Sequence, residues 1–206
     1  MPKAGKTYGP RIPAPNYAQI KKDSKDEVLK KLGLERPEDA VHVRPEDLIV
    51  KAAGIVAQAD AEIALHLDER DQALAHLWFY EQRLGLAATV GLGNMGYRQA
   101  LATVMFGNKK HVHELPTGNG EELIQAAEAA GIERVEGAEE KLLEAAPIVF
   151  AARARRDLAV RFMQEAVFAL SEQPYGWKPE KIAEHADVER NLIYKQRAAA
   201  RRRRGL

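Results

Sequence analysis

A chain of 206 residues with 46% hydrophobic and 30% charged side chains can bury one large core or two small ones, and its balance is that of a globular protein. It contains no cysteine, which excludes disulfides, thiolate metal sites and cysteine nucleophiles, and no apolar run approaches the ~20 residues that cross a membrane. The net charge of +1 hides an uneven distribution: residues 1–31 hold eight Lys/Arg against three acids, residues 178–206 hold nine against four, and the stretch between carries −9.

Two basic ends around an acidic body fit a chain whose ends meet a polyanion. The N-terminal "MPKAGKTYGPRIPAPNY" has no apolar stretch of the kind that directs secretion, so a cytoplasmic setting is expected. Four prolines before position 16, with scattered lysines, predict a flexible basic arm over 1–31.

From Pro45 the pattern turns helical. Pro45, Glu46 and Asp47 form a helix start, with the acids set against the positive end of the helix dipole. Leu48, Ala52, Ile55, Ala59 and Ile63 follow at helical spacing. Asp68 is placed to cap a second helix, "ERDQALAHLWFYEQRLG", with Leu74, Leu77, Trp78 and Leu84 on its buried side. "HVHELPTGNG" (111–120) reads as a linker, rich in Gly and Pro. Helical patterning returns over 121–130, 138–152 and 155–172, the last with Leu158, Phe162, Ala166, Ala169 and Leu170 on one face, and "QPYGWKP" (173–179) ends it. No run of alternating or β-branched residues predicts a strand, so the fold class is all-α. Two tandem helical domains are predicted, 32–110 and 121–206, joined by the linker. "PEDLIVKAAGI" (45–55) resembles "GEELIQAAEAAGI" (120–132), and "RDQALAHLWFYEQRLG" (70–85) resembles "RDLAVRFMQEAVFALSE" (156–172), which suggests an internal duplication.

Gly91-Leu92-Gly93-Asn94-Met95-Gly96 spells G-x-G-x-x-G and resembles the dinucleotide-binding fingerprint of the hydroxyacid dehydrogenases. That fingerprint requires a buried strand before the first glycine and an acidic residue ending the next strand. Here "EQRLGLAATV" continues a helix, and Glu114 follows "KKHVH", which is no strand. A pair of helices joined by a turn explains the segment better: Leu86 and Ala87 inward, Val90 closing the first helix, Gly91 turning, Leu92 filling the core, and Tyr97, Ala100 and Leu101 packing back. This order resembles bacterial helix-turn-helix regulators, which makes Asn94, Arg98 and Gln99 sparse base readers. Gly93 and Gly96 weaken that second helix.

"KPEKIAEHADVERNLIYKQRAAARRRR" repeats the pattern more fully. Pro179 opens a helix, Ile182, Ala183 and Ala186 point inward, Asp187 takes the turn, Val188 fills the core and Ile193 packs back. "IAEHADVERNLIYKQR" is similar to the helix-turn-helix of bacterial and phage regulators, with Asp in place of the usual Gly at the turn, a residue that also accepts left-handed backbone angles. The resemblance implies a recognition helix from about Glu189 that offers Arg190, Asn191, Tyr194, Lys195 and Arg197 to double-stranded DNA. Arg and Asn match guanine and adenine edges, whereas Tyr194 and Lys195 suit phosphates, as do Arg201, Arg202, Arg203 and Arg204.

His111, His113 and Glu114 could in principle ligate a metal, but three adjacent donors on a linker read as surface residues, and no metal or other cofactor is expected. No phosphate-cradling loop, nucleophile turn or Glu-x-x-His pair is present, so no enzymatic activity is predicted. The Ala- and Arg-rich composition hints at a GC-rich bacterial or phage genome. The sequence thus predicts a sequence-specific transcriptional regulator, with the first turn element reading a second half-site about 34 Å away or mediating assembly. The alternative is a DNA-packaging, partition or assembly protein with non-specific DNA contact, whose acidic middle binds itself or another protein.

Overall fold

The computed structural model describes residues 9–118 and 120–206. These form eight α-helices: α1 (Tyr17–Leu32), α2 (Pro45–Phe79), α3 (Leu86–Thr89), α4 (Asn94–Phe106), α5 (Gly120–Ala129), α6 (Ala138–Ser171), α7 (Pro179–Ala186) and α8 (Arg190–Arg203). Short 3-10 helices lie at Pro37–His42 and Lys109–His113. The described residues contain no strand; Arg11 and Leu84 form an isolated bridge. The all-α class read from the sequence is therefore the class observed.

Several boundaries differ from the expected ones, each for a physical reason. The basic arm predicted over 1–31 is helical from Tyr17 on, because Val28, Leu29 and Leu32 form an apolar side that is buried despite the surrounding lysines. Residues 1–8 of that arm lie outside the described residues. Residues 9–12 run beside 82–84, with the Ile12 N–H donating to Leu84 O at 3.1 Å and the Ile12 side chain buried. Asp68 caps nothing: α2 passes through it unbroken, since 60–69 contains neither Gly nor Pro and Asp costs a helix interior only a few tenths of a kcal/mol. Leaving the helix at Phe79 also puts Leu84 at the surface. The two helices expected over 138–152 and 155–172 are one, α6, which also accommodates Pro147.

The chain forms two compact units, and neither is a continuous stretch. Of the described residues, one unit takes those up to Ile20 together with those within Ile63–Phe150, and the other takes Lys21–Glu62 together with Ala151–Leu206. The boundaries fall within α1, α2 and α6, and segment 111–120 lies inside the first unit, where Val112 and Leu115 are buried.

In the first unit, Leu74, Leu77 and Phe79 of α2 pack with Leu101 of α4, Leu123 of α5 and Leu142 of α6. Polar contacts fix the same elements. The Tyr80 hydroxyl donates to Ile132 O at 2.6 Å, and the Val135 N–H donates to His76 Nδ1 at 2.9 Å. Because Nδ1 accepts, the neutral ring carries its proton on Nε2, which faces Glu81 Oε1 at 3.1 Å. Tyr17 packs against Phe150 with the rings tilted and their centroids 4.4 Å apart, and it donates to Thr89 O. Burial pushes its phenol up to about 12, against the opposing field of Arg70.

In the second unit, Val28 and Leu32 of α1 and Ile49 of α2 pack with Phe162 of α6, Ile182 of α7 and Ile193 of α8. Arg155 bridges Glu27, at 3.0 Å, and Glu62, tying α6 to α1 and α2.

The glycines at 91, 93 and 96 have unequal roles. Gly91 has φ +64°, and a Cβ there would sit 2.7 Å from Phe150 Cδ2 and 3.0 Å from the Tyr17 ring. A Cβ at Gly93 meets nothing within 4 Å, and one at Gly96 meets Leu92 at an ordinary 3.6 Å. Gly91→Ala should therefore lower stability by about 2–4 kcal/mol in denaturant unfolding. Gly96→Ala, inside α4, should raise it by about 0.5–1 kcal/mol.

Candidate nucleic-acid interface

The α7–α8 pair is built by local rules. Pro179 occupies the first turn of α7, where its missing N–H costs nothing. Ile182, Ala183 and Ala186 are buried on one side. Asp187 ends the helix in the left-handed conformation (φ 52°, ψ 51°), the Val188 N–H returns to Ala183 O at 3.0 Å, and Glu189 is extended before α8 begins at Arg190. The turn residue and the inward positions thus fall where the sequence placed them.

With about 3.6 residues per turn, α8 divides into two faces. Ile193 and Ala200 are buried, and Leu192, Gln196 and Arg197 flank them. Arg190, Asn191, Tyr194, Lys195, Ala198, Arg201 and Arg202 all lie on the opposite, exposed face. The basic residues split between the faces. Arg197 Nη2 approaches Glu172 at 3.8 Å, and Arg203 pairs with Glu165 at 3.3 Å and bonds Gln164. Arg204 also pairs with Glu165, with its guanidinium 4.1 Å from the Phe168 ring centroid. Gln164 donates to Gln196 at 2.8 Å. All these partners lie on α6 or just after it, so Arg197, Arg203 and Arg204 hold α8 from behind. Lys195, Arg201 and Arg202 form no ion pair among the described residues.

Glu180 is one acidic neighbour of the open face, and Asp60 and Glu189 lie beside Asn191 and Lys195 on its other side. One Glu180 oxygen lies 3.4 Å from both Arg190 Nη1 and the Tyr194 hydroxyl, and the same two side chains interact as cation and ring at 5.9 Å. A backbone N–H bond at the start of α7, more than the field of Arg190, holds its carboxyl below the ordinary range. On the other side of the face, Asn191 and Lys195 rim a groove of about 330 Å³ floored by Ala53, Val56, Met163 and Leu192.

The earlier pair, α3 and α4, has the same turn but a different surface. Gly91 turns, Gly93 is extended and α4 starts at Asn94. The 3-10 helix Lys109–His113 then lies along α4. Arg98 donates to Val112 O at 3.3 Å, the tilted rings of Phe106 and His111 meet with centroids 5.8 Å apart, and Ala102 is 0% exposed. Of the expected readers here, Asn94 is exposed, whereas Arg98 and Gln99 are half-buried. His111 pairs with Glu114 at 2.7 Å, and no group of three potential metal ligands occurs among the described residues. No helix among them is long and apolar enough to cross a membrane.

Sequence reasoning missed two features. Ala198 is visible in hindsight, one turn beyond Tyr194 on the same face. Glu180 is not, because its pairing with Arg190 depends on how α7 and α8 cross. No protein-family model, curated protein or solved structure matches this chain.

If the open face meets a polyanion, Glu180 opposes it by holding two of its side chains and adding like charge. Glu180→Gln should strengthen binding to random-sequence duplex by about two- to fivefold at low salt, an effect that fades as salt rises. Unchanged or weaker binding would show that this face does not meet the polyanion.

Proposed function

We propose that this protein is a sequence-specific DNA-binding regulator of transcription that seats α8 in the major groove. One observation carries the reading: α8 turns a continuous row of Arg, Asn, Tyr and Lys outward while its other basic side chains are spent on carboxylates behind it. A major groove about 12 Å wide admits one α-helix, and it is read by a few side chains projecting from that helix. Arg190 and Asn191, in the first turn, match guanine and adenine edges. Tyr194 and Lys195 flank them and suit phosphates, as do Arg201 and Arg202 at the far end. A helix anchored through Ile193, Ala200 and three arginines loses little freedom on binding, which favours affinity. The resemblance of "IAEHADVERNLIYKQR" to helix-turn-helix regulators, with the left-handed turn at Asp187, supports the same reading.

The test is selection from a random DNA pool at physiological salt, followed by binding measured against salt. Enrichment of one sequence is expected. Arg190→Ala or Asn191→Ala should cost about 1–3 kcal/mol and relax the preference at one position. Lys195→Ala, Arg201→Ala or Arg202→Ala should weaken all sequences alike and reduce the salt slope by about 0.9 each. Binding with a steep salt slope and no enriched sequence would overturn this reading in favour of non-specific DNA packaging or assembly.

A further inference from the structure

We infer that the chain is a duplicated pair whose copies have exchanged halves, that only the second copy keeps an open DNA-reading face, and that one chain therefore reads a single contiguous DNA box. The last step rests on the function proposed above.

The duplication is carried by backbone detail. Gly33-Leu34-Glu35-Arg36 and Gly131-Ile132-Glu133-Arg134 are nearly the same tetrapeptide, each following a helix. Both glycines are left-handed, with φ +77° and +71°. The Leu34 N–H returns to Leu29 O and the Ile132 N–H to Ala127 O, each at 2.9 Å, and both apolar side chains are buried. A long helix follows in each case, 35 residues in α2 and 34 in α6. Each long helix leads to a short helix and a left-handed turn at Gly91 or Asp187. Beyond each turn come one apolar residue, one extended residue and a helix of 13 or 14 residues. The order α1–α2–α3–α4 is therefore repeated as α5–α6–α7–α8. The register differs from the one suggested by 45–55 and 120–132, because the true counterpart of α5 is α1.

The exchange follows from the make-up of the two units. One combines α5 and the first part of α6 with the end of α2, α3 and α4. The other combines most of α1 and the first part of α2 with the end of α6, α7 and α8. Each core is completed by the opposite copy.

The two turn elements have diverged at their surfaces. Counting from the turns, Ala102 corresponds to Ala198, and Phe106 to Arg202. Ala102 is fully buried under the 3-10 helix, whereas Ala198 is exposed. Arg98 is the one cation along α4, and it is bonded to Val112 O, whereas α8 presents four cations outward. A helix covered at mid-face cannot approach base edges.

The test uses the full chain in a random-pool selection, with the number of chains per duplex measured on the enriched sequence. One contiguous, non-palindromic box bound by one chain is expected. The exposed double substitution Arg190→Ala/Asn191→Ala, which removes both base-matching side chains, should lower affinity for that box by tenfold or more and erase its sequence preference, with the fold checked by circular dichroism. Two boxes read by one chain would overturn the inference while leaving the DNA-binding reading intact, and so would a preference that survives the double substitution. Failure of the wild-type chain to enrich any sequence would overturn the reading itself, and this inference with it.

Discussion

A helix that runs unbroken for 35 residues cannot fold its second half back onto the helix that covers its first. In α2 this constraint is written into the burial pattern. Ala59 is buried and Arg70 is buried, and nothing between them is. The apolar side chains before the gap, such as Ile49 and Ala52, and those after it, such as Leu74 and Leu77, belong to separate cores. The residues that would have ended the helix at the gap are missing, so α2 delivers its two halves to different cores. Since α6 is just as long, each core takes one half from each helix. The rest of the fold, including which helix stands behind α8, depends on these two helices remaining whole.

The charge of the C-terminal segment acquires its meaning from that arrangement. Four consecutive arginines form a single basic block in sequence. On a helix they fall into two pairs, because successive residues are rotated by about 100°. The outer pair, Arg201 and Arg202, extends the open face. The inner pair, Arg203 and Arg204, meets Glu165 of α6, with Arg197 and Glu172 half-exposed beside them. Partly exposed ion pairs of this kind contribute about 0–1 kcal/mol each, too little to carry the fold. Their effect is orientational: together with Ile193 and Ala200 they fix which side of α8 looks outward.

What was legible in the sequence was whatever local chemistry decides. Pro45 and Pro179 begin helices, Gly91 and Asp187 turn, and Ile182, Val188 and Ile193 take inward positions before and after the Asp187 turn. What was not legible depended on partners remote in the chain. The lysine-rich segment after Tyr17 is helical because Val28 and Leu32 find Phe162 and its neighbours, and no local signal reveals them. Asp68 looks like a cap until the helix is seen to continue through it. The tetrapeptides at 33–36 and 131–134 were in plain view, but their equivalence rests on matching left-handed glycines and matching backbone bonds, which composition does not display.

The two turns also show how one backbone can be kept while its surroundings change. At Gly91, Phe150 and Tyr17 press so closely that no side chain fits, and the left-handed angle adds its own demand. At Asp187 the angle is nearly the same, but the residue is exposed, so a carboxylate is accommodated and only the backbone preference remains. Selection on the first turn is therefore steric, and the helix after it has been drawn into the core by the chain that follows. Selection on the second is conformational alone, which leaves the outer face of the next helix free to be chosen for what it touches. On this argument the chemical contrast between α4 and α8 is a consequence of what packs on each.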